Sequence, residues 1–339
     1  MDNLNKLLFH PSFNDTISEI NRLNIQLPPK PSYQEMNFQL YTYPPDGRLV
    51  TNVEEIKRYV LDPKKGDKIA HEPTTICCAY DESINKFSGL EGTAFLMSHS
   101  LVVTRELDFM PLNLLTFYFY TRSKDITNKS RFIKYSKDPE MDSKKDYVND
   151  KIEFLTEYSP PGSILFIDGP LIGGDVYTFM IRAINKFLSK EIIPVFFVKN
   201  SSSNLVTDNI PDLLGRYNSD MHWAYTYLKK GQRTNFFKYA DRNNPDNAKI
   251  FCYLKAFDLS PQRVEFHIDT FQKYRYKIDE IMDLIYYLIL AQGDLKNPQV
   301  RPIAIAEKYA RDTLRLTDIN KIAKYSGLVP TMNQERFGW

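Results

Sequence analysis

The sequence predicts an α/β fold: a mixed β-sheet flanked by helices, behind an N-terminal extension and around an insertion of short helices and loops. Three observations predict it. Residues 74–81, 92–106 and 112–121 are β-branched and aromatic runs with short breaks between them, as in a meander of hairpins. Beyond residue 144, runs of helical period alternate with short apolar strands, the pattern of βαβ units. From residue 276 onward the apolar spacing is helical almost throughout.

Each element follows in order. Residues 1–70 form the extension, with a helical pattern in NDTISEINRL, a Pro-rich turn in QLPPKPSY (26–33) and a second helix in TNVEEIKRYVL (51–61). The domain proper spans 71–327. TTICCAYD (74–81) is its first strand, GTAFLMSHSLVVTRE (92–106) supplies one or two more, and LNLLTFYFYT (112–121) another. KKDYVNDKIEFLTEY (144–158) is a helix: Val148, Ile152 and Leu155 share one face, and Asp146, Asp150, Glu153 and Glu157 the opposite one. The apolar run Ile164–Ile167 is a buried strand that ends on Asp168, followed by Gly169 and Pro170. A helix over 175–190 takes Asp175 as N-cap. IIPVFFVK (192–199) is the next strand. Residues 205–245 form the polar, aromatic, irregular insertion. AKIFCYLKAF (248–257) and RVEFHID (263–269) make a late hairpin, helices follow at 276–291, 301–316 and 318–327, and 328–339 is a tail. Three antiparallel strands followed by βαβ units give a mixed sheet with helices packed on it. That order matches the ribonuclease H-like fold.

Composition narrows the function classes. Apolar residues make up 42% of 339 residues, with 22 Tyr and 22 Phe, ample for a large core. The formal net charge is only +2, so any surface for nucleic acid must be local. The three cysteines, Cys77, Cys78 and Cys252, form neither a CxxC pair nor an even framework, which argues for reduced thiols in a cytoplasm. MDNLNKLLFH has no secretory pattern, and LIYYLILA (284–291) is too short to span a membrane. GPLIGG (169–174) has neither the GKS/T ending nor the GxGxxG spacing of a phosphate-cradling loop, so no ATPase activity is expected.

The carboxylates carry the chemistry. A charge at the tip of a buried strand is costly unless a metal, a cation or backbone N–H groups pair with it. Asp81 ends the first strand and Asp168 the fourth, and in a ribonuclease H-like sheet these are neighbours. Glu153 lies on the helix before the fourth strand, and Glu307 on a terminal helix in AIAEKYA. Carboxylates gathered at one sheet edge cannot all stay ionised without a cation, and oxygen ligands suit Mg²⁺ or Mn²⁺. Against this, Asp81 and Asp168 are also turn formers, Glu153 shares a solvated face with Asp150 and Glu157, and Glu307 stands one turn from Arg311.

Four separated pieces, spanning roughly 74–325, resemble the NurA nuclease family: AYDES, an acid-bearing helix ahead of FIDGPL, IPVFFVKNSSSNL, and RVEFHID with the later RPIAIAEKYA. FIDGPL is the most specific. The resemblance implies that Asp81, Glu153 and Asp168 bind metal, with Glu157 the alternate helical acid. It implies that Lys199 contacts phosphate and that Glu307 stands where the family usually has His. Glu82 replaces a usual Gly. It further implies a Mn²⁺- or Mg²⁺-dependent DNA exonuclease and endonuclease, a homodimer, working with a hexameric HerA-type DNA-translocating ATPase in end processing or anti-phage defence. The departures at Glu307 and Glu82 leave a second reading open, a catalytically weakened DNA-binding scaffold that regulates the ATPase. A nucleotide-modifying enzyme on a similar sheet has no base or cofactor motif to support it.

LKKGQRTNFFKYADR (228–242) interleaves Lys229, Lys230, Arg233 and Lys238 with Phe236, Phe237 and Tyr239, a pattern for phosphate contacts and base stacking or for a solvated loop over core aromatics. His267 reads as a satisfied core or surface residue, and the terminal ERFGW offers Phe337 and Trp339 to a partner or to the domain itself.

Overall fold

The computed structural model describes residues 12–23, 48–105, 108–128, 132–172, 180–210, 213–243, 245 and 248–331. The Pro-rich turn at 26–33, Asp175 and the ERFGW tail lie outside them.

The chain opens with α1 (Ser12–Leu23), β1 (Arg48–Asn52), β2 (Tyr59–Val60) and α2 (Pro63–Ala70). Asp62 starts α2 by accepting from the N–H groups of Lys64 and Lys65, and Pro63 sits where no donor is needed. The meander is β3 (Ile76–Ser88), β4 (Thr93–Arg105) and β5 (Asp108–Thr121), paired antiparallel along their full lengths. Then come α3 (Lys124–Thr127), β6 (Ile133–Tyr135), α4 (Pro139–Tyr158), β7 (Ile164–Asp168), α5 (Ile181–Ser189) and β8 (Ile193–Val198). The stretch to 245 holds α6 (Asp220–Tyr227), β9 (Gln232–Arg233) and β10 (Phe237–Asp241). The hairpin β11 (Lys249–Lys255) and β12 (Gln262–His267) precedes α7 (Ile268–Lys273), α8 (Arg275–Gln292), α9 (Arg301–Arg315) and α10 (Ile319–Tyr325).

The twelve strands among the described residues join one mixed sheet, ordered β1-β10-β11-β12-β8-β7-β3-β4-β5-β6, with β9 on β11 and β2 on β9. β3, β7 and β8 are parallel neighbours. The pleat separates two layers. Cys77, Ala79, Phe166, Val195 and Phe197 face α8 and α9, while Cys78, Tyr80, Leu165, Ile167 and Phe196 face α4 and α5. Helix α6 packs with Phe237, Phe251 and Tyr253 in a third cluster.

Four expectations change. Asp81 does not end the first strand: β3 runs on to Ser88 because β4 pairs with it along its whole length, so Asp81 sits mid-strand, at the point where its parallel neighbour β7 ends. The run at 51–61 is not a helix: residues 48–52 pair with β10 and 59–60 with β9, with bends between them. Part of the irregular insertion is likewise sheet, because β9 and β10 supply those partners. Helix α4 begins before residue 144, since Asp138 caps it through the Met141 N–H and Pro139 occupies its first turn. Among the described residues no helix is long and apolar enough to cross a membrane. The three cysteines are buried and free.

Candidate active site

The register of three parallel strands builds the site. Tyr80 lies opposite Ile167, so Asp81 and Asp168 come next on adjacent strands. Asp168 lies opposite Phe197, and Lys199 follows β8 directly. Alternation along each strand turns Asp81, Asp168 and Lys199 to the face covered by α8 and α9. Helix α9 packs across β3 and β4 and brings Glu307 down from above. Lys199 Nζ is 2.8 Å from Asp168 Oδ2 and 3.6 Å from Glu307 Oε2.

The electrostatics are unbalanced toward negative charge. Asp81 is only 8% exposed. Burial, then the charges of Asp168 and Glu82, push its carboxyl up to about 7; the Glu82 N–H, which donates to Asp81 Oδ1 at 2.8 Å, and Lys199 only partly oppose them. For Lys199, burial favours the neutral amine, but Asp168, Glu307 and Asp81 outweigh it and hold the ammonium charged. Burial pushes Glu307 up as well, yet the Gln299 amide hydrogen bond and the charges of Lys199 and Arg311 hold it below its ordinary range. Among the described residues no group of three or more His, Cys, Asp or Glu is arranged to hold a metal. The donor set that exists is the Asp81–Asp168 pair, which fits one oxygen-liganded divalent ion with waters or phosphate completing its shell; it does not form a three-carboxylate cage.

Glu153 is not part of this cluster. It is exposed on α4, and the group its charge acts on is Tyr118 of β5. Glu157 is exposed too, beside Tyr158. The α4 residue that turns inward is Lys151, two residues and about 200° of helix from Glu153. Lys151 Nζ lies 3.6 Å from Glu82 Oε2 and 4.5 Å from the centre of the Tyr80 ring. The Tyr147 hydroxyl donates to the other Glu82 oxygen. Tyr80 in turn hydrogen-bonds His99 Nδ1 at 2.7 Å. Glu82 is therefore paired on the face of the sheet opposite Asp81, although its charge still acts on Asp81.

The basic segment divides. Lys229 and Lys230 are exposed just past α6, and Lys238 is half-buried on β10. Arg233 is 2% exposed; its guanidinium is held by Glu54 Oε1 at 2.6 Å and Asp279 Oδ1 at 2.9 Å between the rings of Tyr59 and Phe236. It does not reach a DNA surface. Phe236, Phe237 and Tyr239 are core residues. His267 is buried and accepts from the Asp269 N–H at the start of α7.

Sequence reasoning missed Glu265. It is fully buried, accepts from Lys249 Nζ at 2.6 Å and Arg263 Nε at 2.7 Å, and takes the Leu171 N–H at 2.9 Å. Arg263 Nη1 donates to Ser201 and Ser203 hydroxyls at 3.1 and 2.6 Å. This ion cluster ties the turn after Asp168 to the turn after Lys199. Its signal in the sequence is the pair of opposite charges at 263 and 265, two apart in an otherwise apolar strand.

A family model described as the NurA domain matches residues 115–312, more than half of the chain. The crystal structure of the NurA nuclease from Sulfolobus solfataricus is similar at 13% identity and a TM-score of 0.53, over 94% of this chain and 93% of that one. A second NurA crystal structure aligns at 8% identity and a TM-score of 0.40, over 89% and 94%. A third, of NurA with manganese, aligns at 10% and 0.32, over 91% and 98%. No curated protein matches. The likeness to the Sulfolobus solfataricus structure speaks for the fold alone, and the span of the matching family model settles the kinship: the chain belongs to the NurA family.

Proposed function

We propose that the chain is a metal-dependent DNA nuclease that hydrolyses phosphodiester bonds where the end of β7 meets Asp81 of β3. The observation that carries this reading is the Asp81–Asp168 pair, two carboxylates side by side where β7 ends against the middle of its parallel neighbour β3, with Asp81 left short of positive charge. Asp81 and Asp168 are the residues that would hold one Mn²⁺ or Mg²⁺. Such an ion supplies a Lewis acid and an activated water for phosphoryl chemistry. Lys199 steadies the Asp168 carboxylate and offers an ammonium to a phosphate oxygen. Glu307 and Asp168 keep that ammonium charged. The ion cluster around Glu265 holds the two turns in register. Lys229 and Lys230 supply exposed charge for the DNA backbone.

Strand order and the helices on both faces support a ribonuclease H-like description of the sheet. Family kinship supports a HerA-type hexameric ATPase as partner, a homodimer, and a role in end processing or anti-phage defence within the cytoplasm.

A second reading, a catalytically weakened scaffold, is favoured by one observation: α4 presents Lys151 rather than a carboxylate beside Glu82. The deciding experiment is cleavage of end-labelled linear DNA with Mn²⁺, by the wild-type chain and Asp168→Ala, each with and without a cognate ATPase. Cleavage that the variant loses supports the nuclease. DNA binding without cleavage under every condition supports the scaffold.

A further inference from the structure

The turn after β8 and helix α6 line an open, cleft-like cavity of about 710 Å³. Asn200, Ser201, Ser202, Asn218, His222 and Tyr225 form most of its wall, and no Asp, Glu, Lys or Arg lines it. A volume of this order suits a small ligand.

Its place in the fold is defined by register. Arg263 lies opposite Val198, so Ser260, which also lines the cavity, sits beyond the end of β8. The cavity therefore opens at the same end of the sheet as Asp168 and Lys199. Ser201 lies two residues past Lys199, about 7 Å along an extended chain.

The wall is built rather than incidental. The buried Arg263 guanidinium holds the Ser201 and Ser203 hydroxyls, and Ser201 Oγ donates to Ser203 Oγ at 2.8 Å. The Ser201 N–H donates to Met221 Sδ at 3.3 Å. The Asn218 N–H donates to His222 Nδ1 at 3.3 Å, which places the imidazole hydrogen on Nε2. By contrast, the side chains of Asn200, Ser202 and Asn218 hydrogen-bond no described residue, so two amides and a hydroxyl remain available to a ligand.

The chemistry of the wall selects the ligand. A phosphate would call for cations, and these stand outside, at Lys199, Lys229 and Lys230. Amides, hydroxyls and an imidazole match the edges of a base, and the His222 ring is a stacking surface, as is the face of Tyr225 that Lys255 Nζ, 3.8 Å from the ring centre, does not cover. We propose that this cavity receives one unpaired nucleotide of the cleaved strand, gripped through its base, next to the phosphate held at Lys199. The inference rests on the DNA nuclease reading and adds a single-stranded requirement to it.

The test is fluorescence anisotropy without divalent metal, using a labelled single-stranded oligonucleotide and the same oligonucleotide made wholly abasic. The wild type should bind the base-containing strand about tenfold more tightly, the scale of one stacked base. Asn218→Trp, which fills the cavity from an exposed position, and His222→Ala should each abolish that preference and leave abasic affinity unchanged. Equal affinity of the wild type for both strands overturns the subsite, as does a preference that survives in both variants. If cleavage dependent on Asp168 persists in that case, the subsite falls alone. Failure to bind any oligonucleotide overturns the subsite and the DNA nuclease reading together.

Discussion

Asp81 makes the site sensitive to protons before any substrate arrives. Its carboxyl is pushed up from an ordinary 3.8 to about 7, by burial first and then by Asp168 and Glu82. The metal-free folded chain therefore holds this proton more tightly than the unfolded chain does. Its contribution to stability is complete below pH 4 and is lost as the pH rises through 7. Thermal melting of metal-free protein should fall between pH 5 and pH 8, and Asp81→Asn should remove most of that fall, an effect of roughly 1–4 kcal/mol at pH 8. Added Mn²⁺ should raise the wild-type midpoint at pH 8 and not that of the variant; an equal rise in both would remove Asp81 from the ion. Glu153 gives the opposite expectation. Because it is exposed on α4, Glu153→Gln should leave Mn²⁺-dependent cleavage within about twofold, the range of ordinary surface changes. A large loss of rate would return Glu153 to the site. The sequence itself held both readings of this residue. Its helical period placed Glu153 opposite Val148, Ile152 and Leu155, on the solvent side, while the order of elements suggested an acid facing the strand tips. Periodicity is a local property, and the exposure of Glu153 on α4 agrees with it. The Glu82–Lys151 pair was invisible because its partners are far apart in sequence.

At the scale of single elements, the late basic segment shows how one stretch divides between core and surface. Arg233 is bound to Glu54 and Asp279, which come from an early loop and from α8, so it fastens the edge strands β2 and β9 to the helical layer. Arg233→Ala leaves Glu54 with only the Phe236 N–H at 2.9 Å and the longer Arg275 contact at 3.5 Å and should cost about 1–3 kcal/mol, read as a lowered denaturation midpoint. Reversing Lys229 and Lys230 to Glu should leave that midpoint unchanged while lowering DNA affinity and reducing its salt slope. A stable Arg233→Ala chain with weakened DNA binding would contradict the division. Helix α2 offers a steric test. A Cβ added at Gly66 would sit 2.2 Å from the Asp283 carbonyl oxygen of α8, where the Asp62 N–H also docks on the Asp283 carboxylate. Gly66→Ala should destabilise the chain by about 1–3 kcal/mol through this overpacking; an unchanged midpoint would mean that α2 is free to lift. The meander, β7, β8 and the late hairpin were legible because each carries its own apolar run. The run TNVEEIKRYVL was not, because its spacing imitates a helix and its real partners, β9 and β10, lie far along the chain.

For the whole molecule, the unfinished business of the fold is at the meander edge. β5 is paired with β4 throughout, but among the described residues its other edge is paired only over Phe119–Thr121, with β6. Along the rest of β5, alternate residues Phe109, Leu115 and Phe117 are exposed. Phe109 lies near Tyr309 of α9, whose cover does not extend to Leu115 and Phe117. A long strand with an open edge and an apolar face invites further strand pairing or sheet packing. The net charge of +2 does little to keep two copies apart. A second copy of this chain is the occupant expected there, and it would extend the sheet without disturbing the stretch of β3 and the end of β7 that carry Asp81 and Asp168. Light scattering coupled to size exclusion should therefore find a dimer for the wild type. The double variant Leu115→Lys, Phe117→Glu should run as a monomer with an unchanged melting temperature, because neither side chain lies in the core. A wild-type monomer, or a double variant that remains a dimer, would take the assembly away from this edge.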